Sequence, residues 1–430
     1  MSILGTIKVP SIDLVCHVRK DRQMYNKIPI DVLQENEYIY IDGVVCSGND
    51  KVFAVVANEI YYGEKYKQKT RIVVYTRIND KHVLTDIIEL SDSQAELTSV
   101  RSISINHEGN IIVVGSCRSK KIYVLALVNN KWIEREVIIA TETISKYVPD
   151  SMFAESIVLS PDGKTMLVND YNVSTDEQFR MGKVYLYKYI EDTWSLVHVF
   201  LPELKSAFLT FGGAIAMSDD GKTIAISQNT FSPKVNEKDI DFSGGVVIYK
   251  LIDDTWTKLT ELWNEERHKG SVFFGQSLSL SADGKVLAAS TCNNGRAYKR
   301  NWITIFREVD NKYIKEKRLC PRFGSSSNNF GILINLSKDG TVLTVDTDDV
   351  KKYDKTKTII KDILYVFKYT DGVWSNHLIV DSDNIPFEER YRCYTSSVVS
   401  SDNKTVYATY TNRQHRGQDV ISEIFAIPIK

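Results

Sequence analysis

One short phrase recurs along this chain and limits its fold more than any other feature. A run of alternating apolar residues ends in Ser or Asn, and a Gly or Asp-Gly follows within three residues. The phrase stands at Ile103-Ser-Ile-Asn-His-Glu-Gly109, Val158-Leu-Ser-Pro-Asp-Gly163, Ala216-Met-Ser-Asp-Asp-Gly221, Ser279-Leu-Ser-Ala-Asp-Gly284 and Asn335-Leu-Ser-Lys-Asp-Gly340. Weaker copies flank these at Val45-Cys-Ser-Gly-Asn-Asp50 and Val399-Ser-Ser-Asp-Asn403. From Asp50 to Asp402 is 352 residues over six intervals, a period of about 59, so seven copies fill the 430 residues.

Each copy has the same grammar. An alternating strand such as Ser277-Leu-Ser-Leu-Ser281 leads into the turn, where Gly supplies the positive φ of a tight hairpin. A second short strand, as in Thr223-Ile-Ala-Ile-Ser227, is followed by a variable polar loop. A third strand alternates aliphatic and aromatic residues, as in Gly182-Lys-Val-Tyr-Leu-Tyr187. After another short turn, a fourth strand opens with Trp132, Trp194, Trp256 or Trp374, or with Tyr313 in the fifth copy. A four-stranded sheet cannot bury both its faces alone, so neighbouring copies must stack. The pattern predicts an all-β, seven-bladed β-propeller of four-stranded antiparallel blades, with the fourth-strand Trp packing between blades.

At ~150 residues per domain the length suggests about three domains. The repeat replaces them with a single unit over 1–430, its blade cores near 34–90, 98–140, 152–201, 210–262, 273–320, 329–380 and 393–430. The 9 prolines leave little material for Pro-rich linkers. The seventh copy lacks an outer strand. The segment 4–18 is expected to supply it, so that the ring closes through an N-terminal strand and loses its open edge.

Phe211-Gly212, Phe274-Gly275 and Phe330-Gly331 each precede a first strand, with Phe153-Ala154 as a degenerate copy. The stretch from Phe274-Gly-Gln-Ser-Leu-Ser-Leu-Ser-Ala-Asp-Gly284 through Ser290 resembles the FG-GAP repeats of integrin-α-like propellers. It looks most like the calcium-free version found in bacteria and in large DNA viruses of protists. The resemblance covers copies three to six well. It implies an interaction scaffold, and in the viral case a virion or host-interaction protein. Calcium-binding members carry an Asp-x-Asp-x-Asp-Gly loop, because Ca²⁺ needs several converging oxygens. Here a turn offers at most Asp219-Asp220, so no calcium, other metal or cofactor is expected.

First strands in such rings line a central channel. Here they bring Ser102, Ser104, Ser156, Ala214, Ala216, Ser277, Ser279, Asn335 and Ser396, with Glu155 as the one acid at a strand start. Metal-dependent propeller enzymes need inward acids or histidines. The seven histidines fall at unrelated repeat positions, and there is no nucleophile elbow, phosphate loop or His-Glu-x-x-His. The expectation is a protein that is not an enzyme. A hydrolase or lyase with a loop-face site is the alternative, since a triad is defined by geometry and not by sequence order.

Basic and acidic residues number 54 and 55, so no overall field draws the chain to nucleic acid. No apolar run approaches the ~18 residues of a membrane span. The first ten residues lack a basic region followed by an apolar stretch, and the six cysteines form no Cys-x-x-Cys pair. The expected location is cytoplasmic, which for a viral protein means host cytoplasm or virion.

Loops between second and third strands all emerge on one face, and variable loops on a rigid scaffold are where binding usually lives. Lys65, Lys67 and Lys69 of the first copy, Arg118, Lys120 and Lys121 of the second, and Arg413 and Arg416 of the seventh make a basic arc once the ring closes. Tyr61 and Tyr62 lie within it, and the loops of the third and fourth copies are acidic. The arc is the candidate surface for a protein partner with an acidic patch. A glycan-binding module using Tyr61 and Tyr298 is a further alternative.

Overall fold

The structure is a computed structural model. It describes residues 26–28, 38–62, 66–79, 81–91, 100–140, 152–174, 180–203, 209–229, 234–235, 238–239, 243–263, 273–292, 301–321, 330–346, 350–354, 357–360, 362–381, 392–413 and 421–429. Among these no residue is helical, and seven four-stranded antiparallel sheets account for nearly all of the strands. Blade 1 is built from Tyr38–Cys46, Val52–Tyr62, Tyr66–Ile78 and Lys81–Glu89. Blades 2 to 6 follow at 100–139, 157–200, 211–263, 274–319 and 333–381. The first strand of each blade touches that of the next, and Tyr38–Cys46 touches the first strands of both blade 2 and blade 7. The ring is therefore closed, with first strands innermost.

Blade 7 takes three strands from the end of the chain, Arg392–Val399, Thr405–Arg413 and Ile421–Pro428, and its outer strand from the beginning. That outer strand is Asn26–Ile28, paired antiparallel as Asn26 with Ala426 and Ile28 with Ile424. It lies downstream of the 4–18 segment favoured by the sequence, which falls outside the described residues.

The recurrent phrase folds as a side-chain-locked turn. The Ser281 hydroxyl donates to Asp283 Oδ1 at 2.7 Å and accepts the Val286 N–H at 2.9 Å, while Asp283 Oδ1 accepts the Lys285 N–H at 3.0 Å. The same triangle holds at Ser47/Asn49, Ser218/Asp220 and Ser400/Asp402. Gly284 sits at a φ of 72°; in blades 1 and 7 Asp50 and Asn403 accept the same conformation at 55° and 57°. Burial works to raise the carboxyls of Asp283, Asp339 and Asp402, but the Ser hydroxyl and turn amides outweigh it and hold all three below the usual Asp value.

Third and fourth strands meet in two-residue turns with both residues at positive φ: Asn129-Asn130, Glu191-Asp192, Asp253-Asp254, Asp310-Asn311 and Asp371-Gly372. Such turns match the twist of the strands they join. In each of blades 1 to 6 the outer strand then carries a one-residue bulge, as at Val197 opposite Leu186/Tyr187 and at His377 opposite Val366/Phe367, which adds twist where adjacent blades must splay.

The apolar core is divided into seven wedges, one at each blade-to-blade interface. Phe153, Phe211, Phe274 and Phe330, all buried, fill four of them. The residue after each Phe has positive φ, including Ala154 at 64°. Trp194, Tyr313 and Trp374 are buried in the wedge shared with the preceding blade, as the sequence led one to expect. Blade 1 has His82 in that slot, edge-on to Tyr407 of blade 7 at 5.1 Å and to Phe53 at 6.1 Å. Burial, helped by the Arg77 charge and opposed by Asp50, pushes the His82 pKa below its ordinary value.

Candidate functional site

The described residues of the expected basic arc lie on three consecutive blades, where second strands finish and third strands begin. Arg118 is exposed and Lys120 half-buried in the turn between Ile111–Ser116 and Lys121–Val128, and Lys121, half-buried, opens the second of these strands. Lys120 takes a φ of 56°, which turns the chain back after only four residues. Arg413 ends the second strand of blade 7, its backbone paired with Arg392. Lys65, Arg416 and Tyr298 lie outside the described residues.

Blade 1 departs from the expected polar loop. Val52–Tyr62 and Tyr66–Ile78 pair continuously, with Tyr61 opposite Lys67 and Tyr62 opposite Tyr66, so 58–69 is mostly a projecting β-hairpin. Glu59 pairs with Lys69 in the same ladder. Shorter hairpins, Lys234–Val235 with Lys238–Asp239 and Val350–Asp354 with Lys357–Ile360, stand in the equivalent connections of blades 4 and 6. Backbone ladders of this kind need no buried side chains, and the polar sequence therefore hid them.

The opposite face holds a site that sequence reasoning missed. A cavity of about 310 Å³ occupies the mouth of the central channel at the Asp-Gly-turn end, lined by residues from all seven blades. Ser104, Ala216, Ser279 and Asn335, expected in the channel, are in its wall. Serine hydroxyls of the first strands also stitch the ring. Ser102, Ser104 and Ser279 accept the N–H groups of Ile157, Leu159 and Leu336, each on the first strand of the next blade, at 2.8, 3.1 and 2.9 Å.

The rim is set by the residue that follows Ser or Asn in each turn: Gly48, His107, Pro161, Asp219, Ala282, Lys338 and Ser401. Turn-to-turn backbone hydrogen bonds join several of them. His107 N–H donates to Pro161 O at 2.8 Å, Asp219 N–H to Ala282 O at 2.9 Å, and Ala282 N–H to Lys338 O at 2.7 Å. Pro161 has no N–H, so the Asp219 carbonyl receives no such bond and the sequence of links breaks between blades 3 and 4. Lys338 Nζ and Asp219 Oδ2 meet at 2.7 Å across the blade 5 position between them. A Cβ on Gly48 would lie 2.2 Å from His107 Nδ1, so Gly48 leaves room for the imidazole. The signal for this rim was the one variable letter in an otherwise constant phrase.

Among the described residues no group of three or more His, Cys, Asp or Glu side chains could hold a metal ion. Among the described residues no helix is long and apolar enough to cross a membrane.

The fold and the sealed ring define a seven-bladed β-propeller, and known structures share it. The β-propeller domain of Myceliophteria thermophila Cps50 (Swd1) is similar at a TM-score of 0.54 and 12% identity, over 93% of this chain and 99% of that one. KlAtg21, solved in complex with the coiled coil of AgAtg16, is similar at 0.53 and 12%, over 89% and 97%. The Pseudomonas aeruginosa periplasmic gluconolactonase PpgL is similar at 0.51 and 17%, over 79% and 85%. These likenesses carry the fold alone. No family model matches the chain. No curated protein matches it either.

Proposed function

We propose that this propeller is a non-enzymatic protein-interaction scaffold of the calcium-free FG-GAP-like kind, acting in the cytoplasm, or in a virion or host cytoplasm if its source is viral. Its partner surface is the loop face of blades 7, 1 and 2, formed by Lys65, Lys67, Lys69, Arg118, Lys120, Lys121, Arg413 and Arg416 with Tyr61 and Tyr62. What supports this reading is that the described members of the set, from Tyr61 and Lys67 through Lys120 to Arg413, belong to three consecutive blades of a closed, seven-wedge ring. A rigid ring holds such a surface in register, and like charges on it steer an acidic partner. Among the similar structures, KlAtg21 is solved in complex with a coiled coil, a precedent for a propeller of this shape acting through a protein partner.

Replacing Arg118, Lys120 and Lys121 together by Glu tests the surface. The triple variant should keep its melting temperature and lose its main co-purifying partners from the native source. An unchanged partner list would refute the assignment. The similarity to a gluconolactonase ring and the channel cavity favour the competing hydrolase or lyase reading. Turnover of sugar lactones by the purified chain would favour it over the scaffold.

A further inference from the structure

The turn-face mouth presents one cation and one anion that neutralise each other over a cavity. Lys338 and Asp219 come from blades 6 and 4, both line the cavity, and both side chains stay partly open to solvent. Neither is anchored by its own turn, where Asp339 and Asp220 do the locking. Below the rim the cavity wall carries no charged side chain and mixes the polar Ser104, Ser279 and Asn335 with the aliphatic Met217, Leu280 and Leu336. Its volume, about 310 Å³, lies at the lower end of the roughly 300–1,000 Å³ typical of ligand pockets. Beside Asp219, the break made by Pro161 leaves a backbone carbonyl without a turn-to-turn donor.

We propose that this mouth binds a free amino acid with an uncharged side chain. Its carboxylate takes Lys338, its ammonium takes Asp219, and its side chain enters the channel. The ion pair selects the ligand class. A simple anion recruited by Lys338 would strand the Asp219 carboxylate, and a simple cation recruited by Asp219 would strand the Lys338 ammonium. With side chains 44% and 37% exposed the pair is weak and opens readily, and a ligand of single charge merely exchanges one such pair for another. A zwitterion replaces each partner with a group of the same sign, so neither charge is left uncompensated. The uncharged wall below the rim then favours a neutral side chain over a charged one.

Calorimetric titration of the full chain with L-leucine, L-methionine and L-phenylalanine tests this, with N-acetyl-leucine and leucinamide as single-charge analogues. Saturable binding is expected for at least one amino acid, with each analogue about tenfold weaker or more. The Lys338→Met/Asp219→Asn double variant should abolish binding at an unchanged melting temperature. Ala282→Trp, which fills the mouth and leaves both charges in place, should abolish it too. The proposal is overturned if no amino acid binds up to about 10 mM. Analogues binding as well as the zwitterion, or binding that survives Ala282→Trp, would also overturn it.

Discussion

At the scale of single residues, the molecule repeats one solution and marks its exceptions. His82 occupies the slot that Trp or Tyr fills in blades 2 to 6, at the interface where the two ends of the chain meet. A half-buried neutral imidazole held below its usual pKa contributes its full stabilisation above the unfolded pKa near 6.5. That contribution is lost as pH falls from there through the lower folded value, because only the unfolded chain gains the proton readily. His82→Phe should therefore narrow the difference in Tm between pH 7.5 and 5.5, by roughly 2 °C in thermal melts. Ala154 is the opposite kind of exception, a side chain kept where its three counterparts have Gly. Holding Ala at positive φ costs about 1–2 kcal/mol, of which the added freedom of unfolded Gly offsets a part. Ala154→Gly is expected to stabilise the protein by about 0.5–1 kcal/mol in denaturant titrations.

At the scale of elements, glycines at equal φ have unequal duties. Gly182 and Gly372 both lie at 81°. A Cβ on Gly182 would sit 2.1 Å from the Phe211 carbonyl oxygen, where the Phe-Gly motif of blade 4 docks on blade 3. A Cβ on Gly372 meets nothing within 4 Å. Gly182→Ala should cost more than about 2 kcal/mol and Gly372→Ala only about 1 kcal/mol in equilibrium unfolding. The elements themselves were mostly legible in the sequence. Ser-x-Asp-Gly spells out its own hydrogen bonds, and the aromatic third strands and Trp-led fourth strands mark buried faces. The closing strand was harder to find because Asn26-Lys-Ile28 is too short to show alternation. The blade 1 hairpin was missed because backbone pairing alone leaves no apolar signature. The channel mouth was illegible for a different reason: its rim is the position where the seven copies differ, and only the ring brings those seven letters together.

At the scale of the whole molecule, stability rests on seven interfaces of similar make, each shared by two blades. Losing one seam in a closed ring exposes two blade faces at once. A chain lacking residues 1–28 loses the strand that covers Ile424 and Ala426. It should melt several degrees lower and form higher oligomers on size exclusion, since an uncovered edge recruits other chains. A chain lacking only residues 1–20 keeps Asn26–Ile28, and the difference between the two truncations measures what that strand contributes. Full stability in the shorter of the two chains would rule out a structural role for the seam.

The same seam sets a schedule for biosynthesis. Asn26–Ile28 leaves the ribosome among the first strands, yet its partner Ile421–Pro428 is made nearly a whole chain later. At ~5–20 residues per second that delay is on the order of 20–80 s. Until then blade 7 is incomplete, and the inner faces of blades 1 and 6 have no neighbour on one side. Substitutions within 421–428 should therefore show first as a lower yield of native protein from translation, ahead of any change in the finished ring.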